Sequence, residues 1–164
     1  MKMDFSDLVL LVQLTFQYAD EGAALLLDFD MPRVARWLSF ALVVVLSTLV
    51  VHLSLAIQPI EVQQLFGDFA ASPLRTVALQ AFFLMASVLA IWQVGRLRGG
   101  VGHFDDALIL VVWLQFVLLG MQLVQLALYA VLPMAANLLG FATLAWFFWL
   151  LTNFIAVLHR FTSL

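Results

Sequence analysis

The sequence predicts an all-α membrane protein: an N-terminal interfacial amphipathic helix followed by four transmembrane helices in two hairpins. Three observations lead there. Hydrophobic residues are 65% of the 164, charged residues only 10%, and mean hydropathy is +1.10. A soluble domain is roughly half apolar and a quarter charged, and a body this small cannot hide so much apolar surface inside itself. Lipid is therefore its solvent. Next, four apolar runs each exceed the roughly 20 residues needed to cross a bilayer. Last, the basic residues are lopsided. With both termini in the cytoplasm, Lys2, Arg33, Arg36, Arg96, Arg98 and Arg160 fall inside and only Arg75 outside, as the positive-inside rule asks.

The first segment, residues 1–32, reads as a cytoplasmic interfacial helix and turn. From Asp4 to Asp28, Phe5, Leu8, Val9, Val12, Phe16, Ala19, Ala23, Leu26 and Leu27 recur at helical spacing. Asp4, Asp7, Gln13, Gln17, Asp20, Glu21 and Asp28 interrupt the run. Crossing would place Asp20 and Glu21 in or near hydrocarbon, at roughly 2–3 kcal/mol each. The helix is expected to lie on the membrane surface, held by its apolar face or by packing on the bundle. A fifth span through this segment is the alternative topology. Met1-Lys2-Met3 followed by Asp4 and Asp7 is not a cleavable leader pattern, so the first span is expected to act as its own insertion signal.

Residues 33–164 read as a helical transmembrane bundle. After the turn at Asp28-Phe29-Asp30-Met31-Pro32, the first span covers about 34–57. Arg33 and Arg36 at its start can snorkel to lipid headgroups, and Gln58-Pro59 ends it. The connector 58–72 carries Val62, Leu65, Phe66 and Phe69 at the spacing of a short amphipathic turn, with Glu61, Gly67 and Asp68 between. Ser72-Pro73 is an N-cap followed by proline at the first helical position. It opens the second span, about 73–95.

The hinge, 96–106, is Arg96-Leu97-Arg98-Gly99-Gly100-Val101-Gly102-His103-Phe104-Asp105-Asp106. Gly99, Gly100 and Gly102 permit backbone angles that other residues resist. Asp105 and Asp106 suit the positive end of the next helix. The third span, about 107–131, ends at the tight turn Leu132-Pro133, and the fourth covers about 134–159.

Composition excludes several chemistries. A net charge of -3 without a basic block gives nucleic acid no footing. With no cysteine there is no disulfide, thiolate site or cysteine nucleophile. His103, Asp105 and Asp106 are too few, and too badly spaced at a helix start, to make a metal site; a helix cap beside a solvated imidazole is the simpler reading. The glycine cluster lacks the Lys and Ser/Thr of a phosphate loop, and two acids stand where phosphate would go. Ser54 and Ser87 have no base in evident reach. His52 and His159 read as interface residues, and Trp146-Phe147-Phe148-Trp149 as packing or lipid-facing bulk. No cofactor is expected.

Two polar sets remain. Arg33, Arg36, Arg96 and Arg98 are candidates for contact with anionic headgroups. Gln80, Gln115, Gln122, Gln125, Asn137 and Asn153 are amides within the spans. They are expected to hydrogen-bond between helices, each contributing roughly 0.6–2 kcal/mol. The competing reading is an amide-lined path through a small channel or transporter subunit. It is disfavoured because no Asp, Glu, Lys or Arg lies at mid-depth.

Three stretches carry a family resemblance. Gly99-Gly100-Val101-Gly102-His103-Phe104-Asp105-Asp106-Ala107-Leu108 is a glycine pair before a helix, then an aromatic and a polar pair. Val111-Val112-Trp113-Leu114-Gln115 continues that helix, and Asp30-Met31-Pro32-Arg33 enters the first span. Together they resemble bacterial members of the Yip family (Ypt/Rab-interacting membrane proteins), over nearly the whole chain. That family is usually drawn with five spans, where four and an interfacial helix are counted here. The resemblance implies a multi-pass protein of the bacterial inner membrane and no established chemistry. Eukaryotic members bind prenylated GTPases through a tyrosine-containing acidic motif. Gln17-Tyr18-Ala19-Asp20 does not match it, so GTPase binding is not carried over. The expected role is a non-catalytic scaffold or accessory subunit, with membrane lipids and a homo-oligomer or larger membrane complex as partners.

Overall fold

The computed structural model describes residues 5–29, 31–66 and 72–160. The expectations for Lys2, Asp4, Asp30, Gly67, Asp68 and Phe69 fall outside these. Among the described residues the elements are α1 (Phe5–Gln17), α2 (Ala19–Asp28), α3 (Arg33–Ala56), α4 (Ile60–Leu65), α5 (Pro73–Leu97), α6 (Phe104–Tyr129) and α7 (Pro133–His159). Four of them, α3, α5, α6 and α7, are long and apolar enough to cross a membrane.

The helix boundaries follow local chemistry. Pro32 and Pro59 immediately precede α3 and α4, and prolines open α5 and α7, where a missing N–H costs nothing. The Ser72 hydroxyl accepts from the Arg75 amide at 3.4 Å. α5 ends in a left-handed glycine: Gly99 has φ 85°. Its N–H donates to Arg96 O at 3.0 Å, and Gly100 N–H reaches back to Gly95 O at 2.9 Å. This paired closure satisfies the last carbonyls of the helix.

α6 is the centre of the bundle and its most buried span. α3, α5 and α7 pack around it, and α2 touches both α6 and α7. α3 and α6 run parallel, because Arg33 and Arg36 at the start of one meet Asp105 and Asp106 at the start of the other. α5 and α7 return antiparallel. The molecule thus has a hinge end, with the 98–103 connection and His159, and an opposite end, with α4 and the Leu132-Pro133 turn.

The N-terminal segment is short and apolar as expected, but it is broken at Tyr18 and folded back. Seven residues along a straight helix span about 10 Å, yet a Cβ on Gly22 would stand 3.0 Å from the Thr15 amide nitrogen. α1 and α2 therefore meet at a sharp corner. Leu11, Ala23 and Leu26 are buried in the same core as the bundle helices, while Asp20 and Glu21 stay exposed in the first turn of α2. The corner is fixed by a relay: Trp113 Nε1 donates to Thr15 Oγ1 at 2.9 Å, and that hydroxyl donates to Leu11 O at 2.7 Å. Phe16 stacks on Trp146 with ring centres 4.5 Å apart. Trp113 lies nine residues into α6, about 14 Å along it, so the corner reaches well down the side of the bundle.

Candidate functional site

Two constellations stand out, one at each end. At the hinge end the acidic pair of α6 holds the start of α3. Arg33 Nη2 donates to Asp105 Oδ2 at 2.9 Å and Arg36 Nη1 to Asp106 Oδ1 at 3.2 Å. Arg36 also donates from Nε to Met31 O at 3.0 Å. The Arg33 side chain is 76% exposed and Arg36 only 13%. Arg33 can therefore also meet headgroups, whereas Arg36 is committed to the protein. Sequence reasoning gave Asp105 and Asp106 the helix dipole and gave the arginines lipid; it did not pair them. Arg96 lies over the Trp92 ring at 5.3 Å, and Arg98 is exposed at the end of α5. Phe104 sits between Trp37 of α3 and Trp92 of α5, at 6.4 and 5.8 Å. The aromatic of the hinge motif thus joins three spans.

The hinge glycines have a second use that the sequence did not reveal. His159, the last residue of α7, is 2% exposed, and its ring lies among them. A Cβ would stand 1.8 Å from the ring at Gly95, 2.3 Å at Gly100 and 3.0 Å at Gly102. The imidazole bridges the two elements it fills. Its Nε2 lies 3.1 Å from Ile91 O, and Gly102 N–H points at Nδ1 from 3.4 Å. A carbonyl can only accept, so Nε2 carries the proton and Nδ1 accepts. The ring ties the end of α7 to α5 and to the hinge. Its partners are 57 and 68 residues away in sequence, and no local pattern announces them.

At the opposite end, a cavity of about 480 Å³ lies between the ends of α3 and α6 and the starts of α5 and α7. Gln122, Gln125 and Asn137 line it with Ser54, Gln58 and Tyr129. Tyr129 Oη donates to Gln58 Oε1 at 3.2 Å. Gln125 lies against α7, where a Cβ on Gly140 would stand 2.7 Å from its Nε2.

The six span amides have separate fates. Gln115 reaches across to α3 and donates to Ser47 Oγ at 3.1 Å. Asn153 instead donates within its own helix, to Trp149 O at 2.8 Å. Among the described residues, Gln80, Gln122, Gln125 and Asn137 make no side-chain hydrogen bond to protein. The last three face the cavity. Gln115 lines a smaller, mainly apolar space of about 290 Å³ between α5, α6 and α7. Gln115, Gln122 and Asn153 therefore do not converge on one path. Elsewhere in α3, His52 Nδ1 meets Thr48 O at 2.9 Å and its Nε2 is buried without a partner.

Comparison with known families decides the identity. The model of the Yip1 domain matches residues 24–164. The chain belongs to the Yip1 domain family. No curated protein and no solved structure matches it. The matched region of this Yip1 chain takes in all four spans, the hinge and the His159 cradle; α1 and the tip of the N-terminal corner precede it.

Proposed function

We propose that this Yip1 family chain is a non-catalytic membrane scaffold or accessory subunit that acts through helix and lipid contacts. One observation carries the reading. α6 is enclosed by its neighbours, while α5 and α7 turn broad apolar faces outward, with Phe82 and Phe83 on one and Phe141 and Phe148 on the other. Exposed apolar surface on that pattern is what a membrane subunit offers to lipid and to neighbouring helices. Orientation follows from charge. Arg33, Arg36, Arg96, Arg98 and Arg160 gather at the hinge end, and Arg75 is the one basic residue among the described residues at the other. This supports a cytoplasmic hinge end with both termini on that side; the bacterial inner membrane rests on the resemblance to bacterial family members alone.

The test is site-specific photo-crosslinking in native membranes from Phe82 and Phe141, followed by mild extraction and the mass of what comes along. A protein adduct, whether a second copy or a different chain, is the expected result. Adducts to lipid alone from every outward position would sink the subunit reading. The alternative, a small channel or transporter subunit, has the amide-lined cavity in its favour. The dispersal of Gln115 and Asn153 away from that cavity counts against a continuous path.

A further inference from the structure

The cavity opposite the hinge presents three amides that bond to no protein group among the described residues, Gln122 and Gln125 half-buried and Asn137 exposed. We infer that it is a binding site for an uncharged polyol, the glycerol or sugar hydroxyls of a neutral lipid head or of a free solute. Three features of the wall define that chemistry. Gln122, Gln125 and Asn137 each present a donor pair and an acceptor, and among the described residues none is used by the protein. A hydroxyl both donates and accepts, so a vicinal polyol satisfies an amide on each side. A carboxylate only accepts and an ammonium only donates, so either would leave half of each amide's bonding capacity unmet.

No charged side chain lines the space among the described residues. Among the described residues a phosphate or quaternary amine would find no counter-ion, at a heavy desolvation cost. Beside the amides the wall mixes the hydroxyls of Ser54, Thr76 and Tyr129 with apolar Val50, Val51 and Leu126, which suits both the hydroxyls and the carbon face of a polyol.

Size and depth agree. About 480 Å³ is within the ordinary range of small-molecule sites, about 300–1,000 Å³. The lining runs from Tyr129, at the end of α6, back to Gln122. That is about 10 Å along the helix, spanning the zone where headgroup gives way to hydrocarbon. This site does not rest on the scaffold reading; either can fail alone.

The experiment uses the whole chain in a zwitterionic detergent without a sugar head. Thermal shift and native mass spectrometry are run with 1-monoacylglycerol, monoglucosyl-diacylglycerol, phosphatidic acid and free glycerol. Stabilisation by a neutral polyol lipid, and not by phosphatidic acid, is expected. The double variant Gln122→Leu/Asn137→Leu should stay folded and bind roughly tenfold more weakly, as expected from losing neutral hydrogen bonds. Gln115→Leu, outside the cavity, should bind unchanged. Equal response to free glycerol would keep the polyol chemistry and assign a soluble source. Response to no polyol, equal response to phosphatidic acid, or undiminished binding by the folded double variant would overturn the proposal.

Discussion

His159 shows how one side chain can explain several others. Gly100 and Gly102 read in the sequence as part of a hinge and Gly95 as the end of the second span, and Gly99 with its φ of 85° does serve the turn. The other three are small because an imidazole occupies the space where their side chains would be. This makes an unusual prediction about sign. Gly95→Ala in the natural background should lower the melting temperature in detergent, since overpacking costs about 1–3 kcal/mol and displaces a ring with two polar contacts. In a His159→Ala background the same substitution should raise it, because the clash is gone and alanine is preferred to glycine in a helix by up to about 1 kcal/mol. The two changes made singly and together form a cycle that isolates the contact. Additive effects would mean that the ring does not sit where it is described. The reason the sequence hides this is distance along the chain: glycine spacing reports a local backbone need, and nothing near 95–102 names a histidine at 159. The same holds for Thr15, which reads as a neutral helix residue until Trp113 is placed beside it.

Among the helices, the long spans were legible and the corner between α1 and α2 was not. Hydropathy and length sufficed for α3, α5, α6 and α7; proline and serine marked the starts of α3, α5 and α7 within a residue or two, while α6 begins at Phe104, three residues before the expected 107. These signals are strong because a bilayer forces every backbone group to be satisfied within the segment. The break at Tyr18 has no proline or glycine on it. Its nearest trace in the sequence is Gly22, four residues on, whose missing Cβ lets the chain turn against Thr15. Gly22→Leu should therefore push α1 away from α2 while sparing the four spans. Limited proteolysis is expected to cut between residues 10 and 20 much faster in the variant, with the downstream fragment intact. An unchanged digestion pattern would show that the corner does not depend on that contact. The amides were legible as a set but not by partner, because polar spacing on a helix does not say which amide meets a group on the opposing helix, as Gln115 meets Ser47, and which faces a cavity.

For the molecule as a whole, the two ends differ in kind. One is closed by ion pairs, an aromatic hub and the imidazole tie. The other contains the open polar cavity. Which end faces the cytoplasm can be measured directly, since the chain has no cysteine of its own. Arg98→Cys and Val131→Cys each place one thiol in an exposed connection at opposite ends. In intact cells a membrane-impermeant maleimide should label position 131 and spare 98; the reverse pattern would invert the proposed orientation. Substituting Arg98 removes one of the five basic residues described at that end, so Val101→Cys serves as a charge-neutral check; Gly99→Cys is avoided because its φ of 85° strains any side chain.

The cradle also has a consequence in time. Protein synthesis delivers residues in order, so Gly95, Gly100 and Gly102 reach the membrane when their filler has not yet been made. Between them and His159 the ribosome must produce the whole of α6 and α7. Until then the hinge has a hole where the ring belongs, and the first pair of spans has only α3–α5 packing to hold it. The finished arrangement thus waits for both later spans, and an assembly factor or lipid meeting the nascent chain before α7 is made would encounter a differently shaped molecule from the mature one.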